Sequence, residues 1–196
     1  MANNSVQGGL TPVRTLIGVL TGIGNEYEIL ASDGTATFVG DMMKAQNTAS
    51  AVDGCPNAIV TGVPGAVLVL GSMRAIRPTL TNLTLQYRVA STLTRVNVED
   101  NPWVTFHIKD GGASASADAF LYATITATAG NTTTGQSGYV INASSITGTG
   151  TTSLPLKILR TQPAIGNPVL NATSGSVYEV MIVNHTFNQQ VASALI

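Results

Sequence analysis

The chain has 196 residues, a net charge of −1 and only 10% charged side chains, against about 25% in an ordinary globular domain. Three lysines and six arginines are spread from Arg14 to Arg160, and only Arg74 and Arg77 lie close together, so no basic run exists to displace counterions from nucleic acid. In place of charges stand 26 Thr, 14 Ser, 14 Asn and 20 Gly, a composition that hydrates through hydroxyls and amides and has little charge with which to repel a packed neighbour.

The length suits one domain. At 20.2 kDa, folding buries roughly 70% of the unfolded surface, enough for a core without disulfides or metals. The single Cys55 cannot form an intrachain disulfide, and no neighbouring cation lowers its pKa. The first ten residues, MANNSVQGGL, show no basic region leading into an apolar one. The apolar stretch from Gly62 to Ile76 contains Pro64 and Arg74 and falls short of the ~20 residues that span a bilayer. The expectation is a soluble protein made in the cytoplasm, with no membrane partner and no nucleic acid.

Residues 1–14 read as an extended N-terminal arm: polar and Gly-rich to Gly9, then Leu10-Thr11-Pro12-Val13-Arg14. Leu10 and Val13 offer apolar anchors, Pro12 fixes its own φ, and Arg14 can pair with a carboxylate. Strands are expected over Thr15–Leu20, Glu26–Leu30, Thr35–Val39, Ala58–Val63, Ala66–Leu70, Leu83–Val89, Arg95–Val98, Trp103–Ile108, Ala119–Ile125, Gly138–Ile141, Leu154–Leu159 and Val177–Val183. The spacing of these short runs, broken by Gly, Asn, Asp and Pro, is that of all-β sandwiches and barrels. No helical periodicity persists beyond one turn. The apolar alternation places Ile29, Phe38, Val39, Val60, Leu68, Leu85, Val104, Phe106, Phe120, Ile158, Val180 and Ile182 in the core.

The most sharply defined stretch is Val98 to Gly112. Asp100-Asn101-Pro102 forms a turn that Asp and Asn side chains can close, and the strand from Trp103 to Ile108 follows with period two. Thr-, Ser- and Gly-rich segments at Gly111–Asp118, Ala129–Gly135 and Ser144–Ser153 read as loops whose hydroxyls satisfy the backbone locally.

Chemistry is sparse. His107 and His185 lie in no catalytic motif, and one Cys, two distant His and ten scattered acids make no metal-ligand spacing. The loop Ala129–Gly135 lacks the Gly-Lys-Ser/Thr ending that cradles phosphates. Sequons at Asn3, Asn82, Asn131, Asn142, Asn171 and Asn184 are expected by chance in so Thr-, Ser- and Asn-rich a chain. No catalytic residue, cofactor or metal is expected, and the chain reads as a non-enzyme.

Several segments, taken in order, resemble the capsid decoration (cement, or virion structural) proteins of tailed bacteriophages. Gly9-Leu10-Thr11-Pro12-Val13-Arg14 is similar to the family's Gly-Leu-x-Pro-Val opening. Ile29 to Gly34 and Phe38 to Lys44 resemble its Ile-Ala-Ser and Gly-Asp-x-Val-Lys patterns. Val98 to Phe106, Ala129 to Tyr139, Pro155 to Leu159 and Val180 to His185 resemble its later segments and closing strands, although Val183-Asn184-His185 lacks the usual Glu. The resemblance implies a β-barrel or jelly-roll-like domain over residues 15–196. It would sit on the outer surface of the virion's assembled major-capsid lattice as a dimer or trimer and stabilise the head by binding it. The arm, through Leu10, Pro12, Val13 and Arg14, would be the partner-binding element. The competing reading is a receptor- or glycan-binding β module of the tail or fibre.

Overall fold

A computed structural model describes residues 8–20, 22, 24–61, 68–78, 82–112, 118–151, 153–161 and 176–188. Twelve strands occur in it: β1 (Thr11–Thr15), β2 (Asn25–Ile29), β3 (Met42–Ala49), β4 (Pro56–Val60), β5 (Gly71–Ile76), β6 (Thr94–Glu99), β7 (Val104–Lys109), β8 (Tyr122–Ala123), β9 (Ile125–Thr126), β10 (Val140–Ile141), β11 (Leu156–Thr161) and β12 (Val177–Ile182). Two single 3-10 turns, Ala143–Ser145 and Thr186–Asn188, also lie among the described residues. The protein is all-β.

The strands divide between two assemblies rather than closing one barrel. β2, β4, β3, β5 and β6 close a five-stranded barrel in that order, and β1, β7, β12, β11 and β8 form an open sheet. A ribbon of β10 and β9 accompanies them. The barrel is antiparallel except for one parallel bridge between Glu28 and Asn57. β1 is an edge strand, paired with β7 through Thr11↔His107 and Thr15↔Val104, with a register shift between Pro12 and Arg14. Proline suits an edge strand because it needs no ladder donor on its open side.

One hydrophobic cluster runs through both assemblies, from Ile29, Met42, Met73 and Val98 in the barrel to Phe106, Ile158, Tyr178 and Val180 in the sheet. The corner between β6 and β7 joins them. Asn101 closes it as expected, its Oδ1 accepting from Trp103 N at 2.9 Å and its carbonyl from Val104 N. Asp100 instead reaches back to β2, accepting from Asn25 Nδ2 and from the Tyr27 hydroxyl at 2.6 Å.

Five expectations need correction. Residues 10–14 are not a free arm: Leu10 is 1% exposed in the core, Pro12 is buried, and residues 11–14 belong to β1, while residues 1–7 lie outside the described residues. The stretch expected as strand from Thr15 to Leu20 leaves the sheet after Thr15, whose hydroxyl bonds both the carbonyl and the N–H of Ile17. Phe120 is 67% exposed because its backbone adopts φ 64°, which turns the side chain off the expected alternation. Leu68 is exposed and Leu85 only half-buried. Thr35–Val39 and Leu83–Val89 meet at the single bridge Thr37↔Arg88. There the fully buried Arg88 guanidinium donates to the carbonyls of Leu30, Asp33, Thr35 and Thr92, doing what a ladder would otherwise do.

Burial sets two expected outcomes for chemical denaturation. Phe106→Ala should cost about 3–5 kcal/mol, and Leu10→Ala about 2–5 kcal/mol as a core truncation. Val13→Ala, on the exposed side of β1, should stay within about 0.5 kcal/mol. A Leu10→Ala protein as stable as wild type would return residues 10–14 to the status of an arm.

Candidate functional site

The partner-binding residues expected from the sequence divide between the two sides of β1. Leu10 and Pro12 face the interior, so they hold the strand in place. Val13 and Arg14 face outward. Beyond them the chain exposes Leu16, Ile17 and Val19, the last 84% exposed, and Leu16 N bonds the carbonyl of the half-exposed Trp103. This apolar loop beside an edge strand is a surface that a protein partner can cover. The strand expected over Thr15–Leu20 includes Leu16, Ile17 and Val19. Gly18, with φ 81°, is the local signal that the run turns instead.

The outer face of the open sheet carries the second feature. Phe106 and Ile108 of β7, Val180 and Ile182 of β12, and Leu156 and Ile158 of β11 point into the core. The alternate positions therefore point away. At the centre of that face sits Glu179, only 1% exposed. Arg14 Nε donates to Glu179 Oε1 at 2.7 Å and Arg160 Nε to Oε2 at 2.6 Å, so one carboxylate bridges β1 and β11 across two intervening strands. Burial raises the Glu179 pKa, but hydrogen bonds from Arg14, Arg160 and Thr105 outweigh it and hold the carboxyl below its usual range. His107 lies opposite Glu179 in register, and burial holds its imidazole below its ordinary pKa. Lys157 stands over the Tyr122 ring at 5.2 Å.

The charges separate by assembly. Arg14, Lys109, Lys157 and Arg160 oppose Glu179 alone on the strands of the open sheet, a net of three positive charges. Residues 25–100, which build the barrel, hold five cations and seven acids.

Three of the segments that carried the family resemblance converge at one point. Leu10 N bonds the Gly40 carbonyl, Gly9 N bonds that of Tyr139, and Ser137 N bonds that of Val39. A Cβ on Gly9 would overlap the Gly40 carbonyl and the Ser137 side chain, so these glycines are required by close backbone approach. Asp41 next to them accepts from Phe38 N at 2.8 Å. A cleft of ≈ 500 Å³ opens beside Asp41, lined also by Phe38, Tyr139 and Thr128. The rings of Phe38 and Tyr139 are both buried, so neither offers an open face to a sugar.

His185 is buried, and its Nδ1 accepts from Phe187 N at 3.1 Å. Cys55 is half-buried, and burial pushes its thiol pKa up. Among the described residues, no cluster of three or more His, Cys, Asp or Glu is placed to hold a metal ion. No helix among them is long and apolar enough to cross a membrane.

Two buried groups give opposite pH dependences. Burial holds His185 down at about 4, against 6.5 in a free chain, with Asp100 and the Leu70 backbone opposing. The unfolded chain therefore takes up a proton first, and stability is lost as pH falls from about 6.5 toward 4. Burial pushes Asp41 up to about 6, against 3.8, in spite of hydrogen bonds from Ser137 and Phe38. The native state takes up that proton first, so stability is gained as pH falls through about 6. Asp41→Asn removes the gain. Its unfolding midpoint should fall more steeply than that of wild type between pH 7 and 5, and parallel profiles would refute the assignment. Comparison of the chain with protein-family models, with curated proteins and with solved structures finds no match.

Proposed function

We propose that this chain is a non-enzymatic capsid decoration protein that docks on the assembled major-capsid lattice of a tailed phage and stabilises the head. The observation that carries the reading is the composite surface around β1. An edge strand is anchored from beneath by Leu10, flanked by the exposed apolar loop Leu16–Val19 and Trp103, and bordered by the Arg14–Glu179–Arg160 bridge. The segment resembling the family's opening builds this surface, and its outward residues Val13 and Arg14 remain the proposed contacts. Leu10 and Pro12 act indirectly, by holding β1 against β7. A barrel-centred domain with this surface takes the place of the jelly-roll-like barrel that the resemblance implies.

Binding to the assembled lattice but not to dispersed subunits stabilises the shell by RT ln(1 + [L]/Kd) per site, about 2.7 kcal/mol at a hundredfold excess over Kd. Many copies per shell multiply that figure, and a dimer or trimer on the shell would add avidity. A stable contact of this kind needs on the order of 1,000 Å² or more of buried surface.

Electron cryomicroscopy of particles that carry the chain should place it on the outer shell in many symmetric copies. Density confined to the tail or fibre would overturn the assignment in favour of the receptor-binding module. The double variant Ile17→Asp/Val19→Asp changes only exposed residues. It should keep the wild-type melting temperature within a few degrees while losing most of its occupancy on washed shells, as counted by mass spectrometry.

A further inference from the structure

The Arg14–Glu179–Arg160 bridge has a geometry that a structural ion pair does not need. Each arginine spends only its Nε on Glu179, one on each carboxylate oxygen. The terminal amino groups of both guanidinium groups make no hydrogen bond among the described residues, and both side chains are about half exposed. Two forked donors are thus anchored to one buried carboxylate. A planar fork of this kind matches a carboxylate in two parallel hydrogen bonds. Anchoring at Nε restricts the long side chains beforehand, so less rotamer freedom is lost when a ligand binds.

We infer that this bridge is a carboxylate-binding site, with Glu179 positioning Arg14 and Arg160 to grip acidic side chains of the protein surface on which the chain docks. The inference rests on the docking reading above and names the chemistry of the partner. Charge complementarity supports it: the sheet holding the bridge carries four cations against one carboxylate in a chain whose net charge is −1. The surroundings favour a protein over a nucleic acid. A phosphate backbone calls for cations that track it, whereas here Val13 and Leu16, beside Arg14 in the chain, and Trp103, whose carbonyl Leu16 N bonds, are exposed and apolar. Aromatic and Arg anchors beside apolar contacts are the pattern of protein interface hot spots.

The test uses a fluorescein-labelled hexaglutamate peptide at low ionic strength, read by fluorescence anisotropy on the full chain, with a labelled duplex DNA of equal charge as comparator. Wild type should bind the peptide more tightly than the DNA. Arg14→Gln/Arg160→Gln should weaken peptide binding by about tenfold or more, the loss expected for charge-assisted hydrogen bonds. Arg14→Lys/Arg160→Lys keeps the charge but not the fork and should fall between the two. Arg77→Gln, an exposed barrel arginine paired with Glu26, should bind as wild type. Circular dichroism and melting temperature establish that each variant is folded. Equal peptide binding by wild type and the double Gln variant would overturn the inference, as would tighter binding of DNA that the same variant abolishes. If wild type is absent from the shell surface, the docking reading fails by itself, because the peptide titration decides the carboxylate site independently.

Discussion

The corner from Asp100 to Trp103 is the constraint on which the rest of the structure depends. The chain leaves the barrel at Glu99 and enters the open sheet at Val104 within four residues. The apolar sides of β6 and β7, Val96 and Val98 then Val104, Phe106 and Ile108, therefore belong to one core. The corner is locked from both sides. Asn101 closes the turn locally, and the Asp100 carboxylate is tied to β2 by Asn25 and the buried Tyr27 hydroxyl. That hydroxyl, pressed by burial and by its bond to Asp100, has its pKa raised, so it stays a neutral donor. Leaving either partner unpaired inside the protein would cost more than the bond contributes when made.

A second joint holds the N-terminal segment. Gly9, Gly40 and Ser137 belong to three segments far apart in the chain, and they approach so closely that a Cβ on Gly9 or Gly40 would clash. The same contact places Leu10 in the core and sets β1 at the edge of the sheet. From there Arg14 reaches Glu179, and the Leu16–Val19 loop is thrown outward. The joint thus turns a Gly-Leu-x-Pro-Val opening into a surface with one buried side and one exposed side. The resemblance motifs are, in this fold, packing motifs first, and any partner recognition is carried by the residues they orient.

The separation of charge completes this picture. The barrel uses its ions inwardly or in local pairs, as in Arg88 among four carbonyls and Arg95 between Glu26, Glu28 and Asp53. The open sheet keeps only Glu179 to balance its cations and leaves guanidinium groups half exposed. A chain with few charges can still present a charged surface when nearly all of one sign is spent elsewhere.

The all-β class was legible in the sequence, because short β-favouring runs broken by Gly, Pro and Asn depend on local sterics alone. So were β2, β6 and β7, which alternate, β12, a dense β-favouring run, and the Asn101 turn, whose closure needs only its own neighbours. What the sequence left open was decided by distant contacts. β3 reads Met-Met-Lys-Ala-Gln-Asn-Thr-Ala, with little β-propensity of its own, and becomes a strand only by pairing with β4 and β5. β5 begins at Gly71, where a Cβ would strike the Glu99 carbonyl, a requirement set by the neighbouring strand. Arg14 could be read as an outward cation. Its meeting with Arg160 over Glu179 could not, because these residues lie 165 and 19 positions from their common partner. Local propensity chooses the kind of element, but which residues meet across a sheet is fixed by register and topology, and these exist only in the folded chain.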